Sequence, residues 1–249
     1  MPNNRRDFIK NAALLPAALA GSSALTRPSK MSDHLPDQLT VVFQGDSITD
    51  AGRDRERTEP NDYGKMGVGY SLLVAAMLLG EHPETDLTYY NRGISGNKVY
   101  QLDERWEADA LSLQPDVVSI LIGVNDFWHM LNGNYDGTVD VYRKDFAALL
   151  NRTREALPEV KFIIGEPFII RGGSAVGDDR WKNEFPTYQS AARAVAAEFD
   201  AAWIPYQRVF DEALEEAPAA HWSHDGVHPS LAGSYVMARA WMEAFEGLY

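Results

Sequence analysis

Val41-Val42-Phe43-Gln44-Gly45-Asp46-Ser47-Ile48-Thr49-Asp50 is the stretch on which the reading of this chain turns. Val41, Val42 and Phe43 are β-branched or aromatic and form a short apolar run, the pattern of a buried strand. Gly45 ends that run, because glycine accepts the sharp turn that stops a strand. Ser47 then lands just past a strand's carboxyl end, where open α/β sheets place their ligands. A serine on a tight strand-to-helix turn exposes its hydroxyl, so Ser47 is expected to be a nucleophile.

From Leu39 onward, short apolar runs alternate with helical patterns, the signature of a parallel sheet covered on both faces. Strands are expected near 39–44, 87–91, 116–122, 161–165 and 202–205, and helices near 69–80, 98–112, 139–157, 186–199, 207–216 and 230–246. Val139, Tyr142, Phe146, Leu149 and Leu150 fall on one helical stripe, and Pro158 stops that helix. Val117-Val118-Ser119-Ile120-Leu121-Ile122 is almost unbroken apolar sequence, as a central strand requires. The expected fold class is α/β, a flavodoxin-like three-layer α/β/α sandwich around a five-stranded parallel sheet.

Polar loops follow three of these strands: Gly45-Asp46-Ser47-Ile48, then Asn91 to Asn97, then Gly123-Val124-Asn125-Asp126. His224-Asp225-Gly226-Val227-His228-Pro229 precedes the last helix. In a parallel sheet all four meet on one rim. Two chemistries fit such a set. One is a serine nucleophile served by an imidazole and a carboxylate. The other is a metal-activated water, because His221, His224 and His228 are spaced three and four apart, with Asp225 beside them. Gly226 and Pro229 break the helix that the metal face would need, so no metal is expected. Asp46 and Asp126 read either as functional carboxylates or as helix caps. Gly93 can also serve to provide a positive φ. Ser95, Asn97, Trp128, Trp222 and Trp181 stand near these loops as substrate contacts or as packing residues.

The four blocks together resemble the SGNH or GDSL family of serine hydrolases, in that family's chain order, over the domain from about residue 40 to the end. The runs Ile48-Thr49-Asp50, Asn91–Asn97 and Ser119–Asp126 look most like its carbohydrate acetyl-esterase branch, which includes acetyl-xylan esterases. The resemblance implies a triad of Ser47, His228 and Asp225. It also implies an oxyanion hole built from the Ser47 and Gly93 N–H groups and the Asn125 amide, with Asp46, Asn97, Trp128 and Trp222 as candidate substrate contacts. The implied activity is removal of small acyl groups, acetyl foremost, from a carbohydrate, with no cofactor. A lipid-type esterase and a non-catalytic glycan-binding module are the alternatives; the second would lack a triad member.

Composition narrows the partners. At 45% apolar and 24% charged residues, the 249-residue chain has globular values, and a net charge of −13 with no unmixed Lys/Arg cluster argues against nucleic acid. The chain contains no cysteine, which removes disulfides, thiolate nucleophiles and thiolate metal sites. Asn4-Arg5-Arg6-Asp7-Phe8-Ile9-Lys10 followed by apolar residues 12–20 resembles a twin-arginine export signal, with Asn4 and Ile9 as departures from the usual residues. Its apolar part is too short, and Pro16 too disruptive, for a stable membrane span. The expected organisation is an export signal over 1–20, a linker over 21–37 and a hydrolase domain over 38–249, exported to the periplasm or medium. A small-molecule or polysaccharide ester is the expected partner, and a homo-oligomer is left open.

Overall fold

The computed structural model describes residues 35–249 except Thr58; the export-signal segment and most of the linker lie outside the described residues. In chain order, β1 (Gln38–Gly45) runs into a single turn, α1 (Ser47–Asp50), followed by α2 (Tyr63–Met66) and α3 (Tyr70–Glu81). Next come β2 (Asp86–Asn91) and α4 (Val99–Asp109). β3 (Val117–Leu121) leads to α5 (Val124–Leu131) and α6 (Val139–Ala156), and β4 (Lys161–Gly165) to α7 (Arg180–Asn183) and α8 (Phe185–Glu198). The chain closes with β5 (Ala202–Ile204), α9 (Tyr206–Glu216), α10 (Ala219–Trp222) and α11 (Leu231–Glu246).

The strands pair in the order β2-β1-β3-β4-β5, every neighbour parallel. This is the flavodoxin-like order, with the switch of direction between β1 and β3. All five expected strands are present within one or two residues of their expected limits. Side chains alternate across β1, so Phe43 faces one layer and Gln44 the other. Phe43 packs against Tyr70 of α3 and Trp241 of α11, at centroid distances of 5.9 and 5.4 Å. On the opposite face, the Gln44 amide donates to the Asp109 carbonyl at the end of α4 (2.7 Å), and α4 packs on α6, which packs on α8.

Helix α6 shows how the pattern becomes structure. Thr138 caps it by accepting from the Val141 N–H, and Tyr142, Phe146, Leu149, Leu150 and Thr153 form its buried stripe. Two buried indoles find partners, as burial demands. The Trp106 N–H donates to Thr153 Oγ1, and the Trp241 N–H donates to Ser119 Oγ, both at 2.8 Å. Among the described residues no helix is long and apolar enough to cross a membrane.

The Trp241–Ser119 bond joins the last helix to the central strand inside the core. Ser119→Ala leaves a fully buried indole N–H without its acceptor, an expected cost of about 1–3 kcal/mol. Urea denaturation should show the midpoint falling at unchanged m-value.

Candidate active site

Ser47 opens α1. The single turn forms because Asp46, at its N-cap, accepts from the Ile48 N–H through Oδ1 (3.0 Å). The turn brings Ser47 Oγ to 2.8 Å from His228 Nε2. The ring's other nitrogen, Nδ1, lies 2.6 Å from Asp225 Oδ2. Both imidazole nitrogens are therefore engaged, one by a hydroxyl and one by a carboxylate, and the ring stands half exposed at the surface.

The loop that carries Asp225 and His228 folds around the carboxylate itself. Asp225 Oδ1 accepts from the backbone N–H groups of Val227 (2.9 Å) and His228 (2.8 Å), and from the Ser223 hydroxyl (3.2 Å). Ser223 Oγ also accepts from the Gly226 N–H at 2.8 Å. Burial acts to push the Asp225 carboxyl up, but the His228 ring and these N–H groups outweigh it and hold the group down at about 2. It stays an anion across the neutral range and fixes the His228 ring with its proton on Nδ1, so Nε2 is free to accept from Ser47.

A second cluster of donors lies at the same edge of the sheet, after β2 and β3. Asn125, in the first turn of α5, is 4% exposed, and its Nδ2 donates to the Asn97 carbonyl (3.3 Å), which aims the amide while leaving it a second N–H. The turn between Asn91 and Val99 assigns its amides one by one. Arg92 N–H goes to the Phe43 carbonyl, Gly93 N–H to Asn91 Oδ1 (2.9 Å), Ile94 N–H to the Gly45 carbonyl, Ser95 N–H to Asp50 Oδ2 (2.9 Å) and Asn97 N–H to the Ile94 carbonyl. No described residue accepts from Gly96 N–H, which sits at φ +82° in the middle of the turn. The Ser47 N–H is likewise one of the orphan donors at the start of α1.

These assignments correct the expectation for Gly93. Its N–H is engaged, and its φ is not positive; it is glycine because a Cβ there would lie 2.4 Å from the Asp50 nitrogen. Gly96, three residues on, has the unengaged amide. The spacing of glycines within Asn91–Asn97 contained both candidates, and only the hydrogen-bond accounting separates them.

Other expected contacts resolve into support. Ser95 Oγ donates to Asp50 Oδ2 (2.8 Å), and Asp50 also pairs with Arg55. Burial raises the Asp50 carboxyl, yet Arg55 and Ser95 together hold it below the ordinary carboxylate value. Asn97 is buried, taking Arg105 Nε on its Oδ1 (3.0 Å) while its carbonyl holds Asn125, so it positions the Asn125 amide. Trp222 donates its N–H to the Ala217 carbonyl (3.1 Å), which fastens the segment ahead of Asp225. Trp181 lies in α7, 2% exposed, against Phe127, Trp128 and Phe185, which makes it a core residue and not a surface platform. Trp128 remains partly exposed at the edge of that cluster. Asp178 is paired with Arg180 at 3.0 Å.

Asp46 and Asp126 are both buried caps. Asp46 is 1% exposed; Asp126 Oδ1 accepts from the Val99 N–H (3.2 Å) at the start of α4. Each keeps a buried Oδ2 for which no described residue is a partner. Burial pushes both carboxyls up to about 7, against the N–H groups of Ile48 and Val99 that lower them. Neither is positioned as a substrate contact.

Comparison with known proteins identifies the family and the fold. A model of the GDSL-like lipase/acylhydrolase family matches residues 43–236. An acetylxylan esterase of Geobacillus stearothermophilus is 36% identical over 204 residues, 81% of this chain and 91% of its own. Among solved structures, a Parabacteroides merdae protein classed with the GDSL-like lipases superposes with a TM-score of 0.82 at 50% identity, covering 85% of this chain and 96% of the other. The G. stearothermophilus acetylxylan esterase Axe2 gives 0.74 at 32% identity, covering 83% and 93%. An alpha/beta hydrolase enzyme from the metagenome of Lake Arreo gives 0.76 at 32%, covering 84% and 95%.

The raised carboxyls carry a pH signature. An unfolded aspartate titrates near about 3.9, so between about pH 4 and pH 7 the unfolded chain sheds protons before the folded one does. These two groups therefore make folding less favourable as pH rises through that window. Asp126→Asn keeps the bond to Val99 and removes one titrating group. Urea midpoints at about pH 4.5 and about pH 7.5 should differ less in this variant than in the wild type.

Proposed function

Because the chain belongs to the GDSL-like lipase/acylhydrolase family and is a carboxylic ester hydrolase, we propose that it removes acetyl groups from a carbohydrate through Ser47, His228 and Asp225. The observation that carries the reading is the unbroken hydrogen-bond chain from Ser47 Oγ through the imidazole to Asp225. His228 Nε2 takes the Ser47 proton as Oγ attacks the ester carbonyl, and returns it to the departing alcohol. Asp225 stabilises the imidazolium between those two transfers. Water, deprotonated by the same ring, then releases the acyl group from Ser47.

The tetrahedral intermediate carries an oxyanion. The Ser47 N–H, the Gly96 N–H and the second N–H of the Asn125 amide supply the donors, with Gly96 in the place first given to Gly93. Acetyl on a glycan is the favoured substrate because the acetylxylan esterases share about a third of this sequence over most of its length. The open position of Ser47 and His228 also suits an ester borne on a long chain. Export is supported by the twin-arginine-like sequence of residues 1–20.

Ser47→Ala should abolish release of acetate from acetylated xylo-oligosaccharides and of p-nitrophenol from p-nitrophenyl acetate, while the wild type acts on both. Equal rates in the two proteins would sink the mechanism. Asn125→Ala should lower kcat about 10²- to 10³-fold with the fold intact, as expected for one lost oxyanion donor. Steady-state kinetics beside circular dichroism separates that result from unfolding.

A further inference from the structure

Helix α5 presents more than Asn125 to the site. His129 follows Asn125 by four residues, one turn further along the same helix face. Its ring lies against the Gly96 turn: Cε1 is the nearest atom to the position a Cβ would take on Gly96, at 4.0 Å. The ring edge therefore borders the same turn that carries the unengaged Gly96 amide.

The tautomer of this ring is set by its neighbour. Lys98 Nζ lies 3.1 Å from His129 Nδ1. An ammonium carries only donors, so Nδ1 must accept and the single ring proton resides on Nε2. Lys98 is itself held: it is 6% exposed, and its Nζ lies 5.5 Å from the centroid of Tyr100 and 5.4 Å from that of Tyr135, two rings that stack on each other at 5.8 Å. Burial and the adjacent Lys98 charge both lower the His129 imidazole from its ordinary value, which keeps it neutral. No described residue accepts from His129 Nε2, and that atom is not among the enclosed unpartnered ones; it reaches solvent.

We propose that His129 is a substrate-binding residue whose Nε2–H donates to an oxygen of the sugar next to the acetyl group, with Lys98 as the positioning residue that fixes its tautomer. A neutral donor with its acceptor side blocked selects a hydroxyl or ring oxygen over a cation. It adds to the acid–base imidazole of His228 a second imidazole that only recognises. Tyr100 and Tyr135, both partly exposed, stand beside it, where a sugar ring can lie against them. The inference rests on the carbohydrate-esterase reading and names which residues of the chain would tell a sugar ester from a simple one.

The experiment compares two substrates in each protein, an acetylated xylo-oligosaccharide and p-nitrophenyl acetate, which has no sugar oxygen. In His129→Phe the ratio of kcat/KM on the sugar ester to that on p-nitrophenyl acetate should fall about three- to tenfold, chiefly through KM, the size of one neutral hydrogen bond. His129→Gln, which retains an N–H donor, should recover part of the loss. Long-range proton–nitrogen NMR on the wild type should show His129 with a protonated Nε2 and a bare Nδ1, and Lys98→Met should convert this to a tautomer mixture. An unchanged ratio in His129→Phe, or a proton found on Nδ1 in the wild type, overturns the inference while leaving the esterase reading in place. A wild type that cleaves p-nitrophenyl acetate but no acetylated sugar removes the carbohydrate reading, and this inference with it.

Discussion

Parallel pairing of β1 with β3 is the constraint on which the rest of the molecule depends. Strands that run the same way end on the same edge, and the chain must leave that edge in opposite directions at the point where its order reverses. Ser47 follows β1 and Asn125 follows β3 by only a few residues, so the serine and the asparagine are brought to one edge of the sheet before any side chain contributes. The Asp225–His228 loop completes the group from the far end of the sequence. It is rigid because the carboxylate accepts backbone N–H groups from its own turn. One oxygen of Asp225 folds the loop and the other orients the ring. Structure and chemistry thus rest on the same side chain.

Much of this was legible in the sequence, for identifiable reasons. Val41–Phe43 and Val117–Ile122 are long enough and apolar enough to be strands in any context, and helix α6 carries both a clean stripe and a terminating Pro158. Ser47, Asp225 and His228 stand in blocks whose positions after strands, or before the last helix, place them on one rim. The short helices were less visible. Asn125 and Asp126 belong to the first turn of α5 and not to a loop, because eight residues give too little periodicity to declare a helix beside a glycine.

The finer roles failed where two residues of the same type lay close together. Gly93 and Gly96 both sit in the Asn91–Asn97 run, and nothing in their spacing tells which amide is bonded. One is glycine to let α1 approach, the other leaves its N–H open. Asn97 and Ser95, polar and near the site, were readable either as substrate contacts or as packing residues. They turn out to be partners of Arg105 and Asp50, long-range pairings that sequence distance hides. Trp181 followed a glycine-rich segment and yet is core, since tertiary packing of Phe127, Trp128 and Phe185 recruits it.

Asn91 connects these observations. Its Nδ2 donates to the Thr49 carbonyl (2.6 Å), the Met66 carbonyl (2.9 Å) and Ser71 Oγ (3.1 Å), while its Oδ1 takes the Gly93 N–H. A single fully buried amide thereby rivets the Ser47 turn, the end of α2, the start of α3 and the glycine turn into one block. Anyone transplanting the Ser47 and Gly96 turns onto another parallel-sheet scaffold would have to move that amide and its four partners together. The portable unit of this site is a knot of main chain around one asparagine, and the reactive side chains are its outer surface.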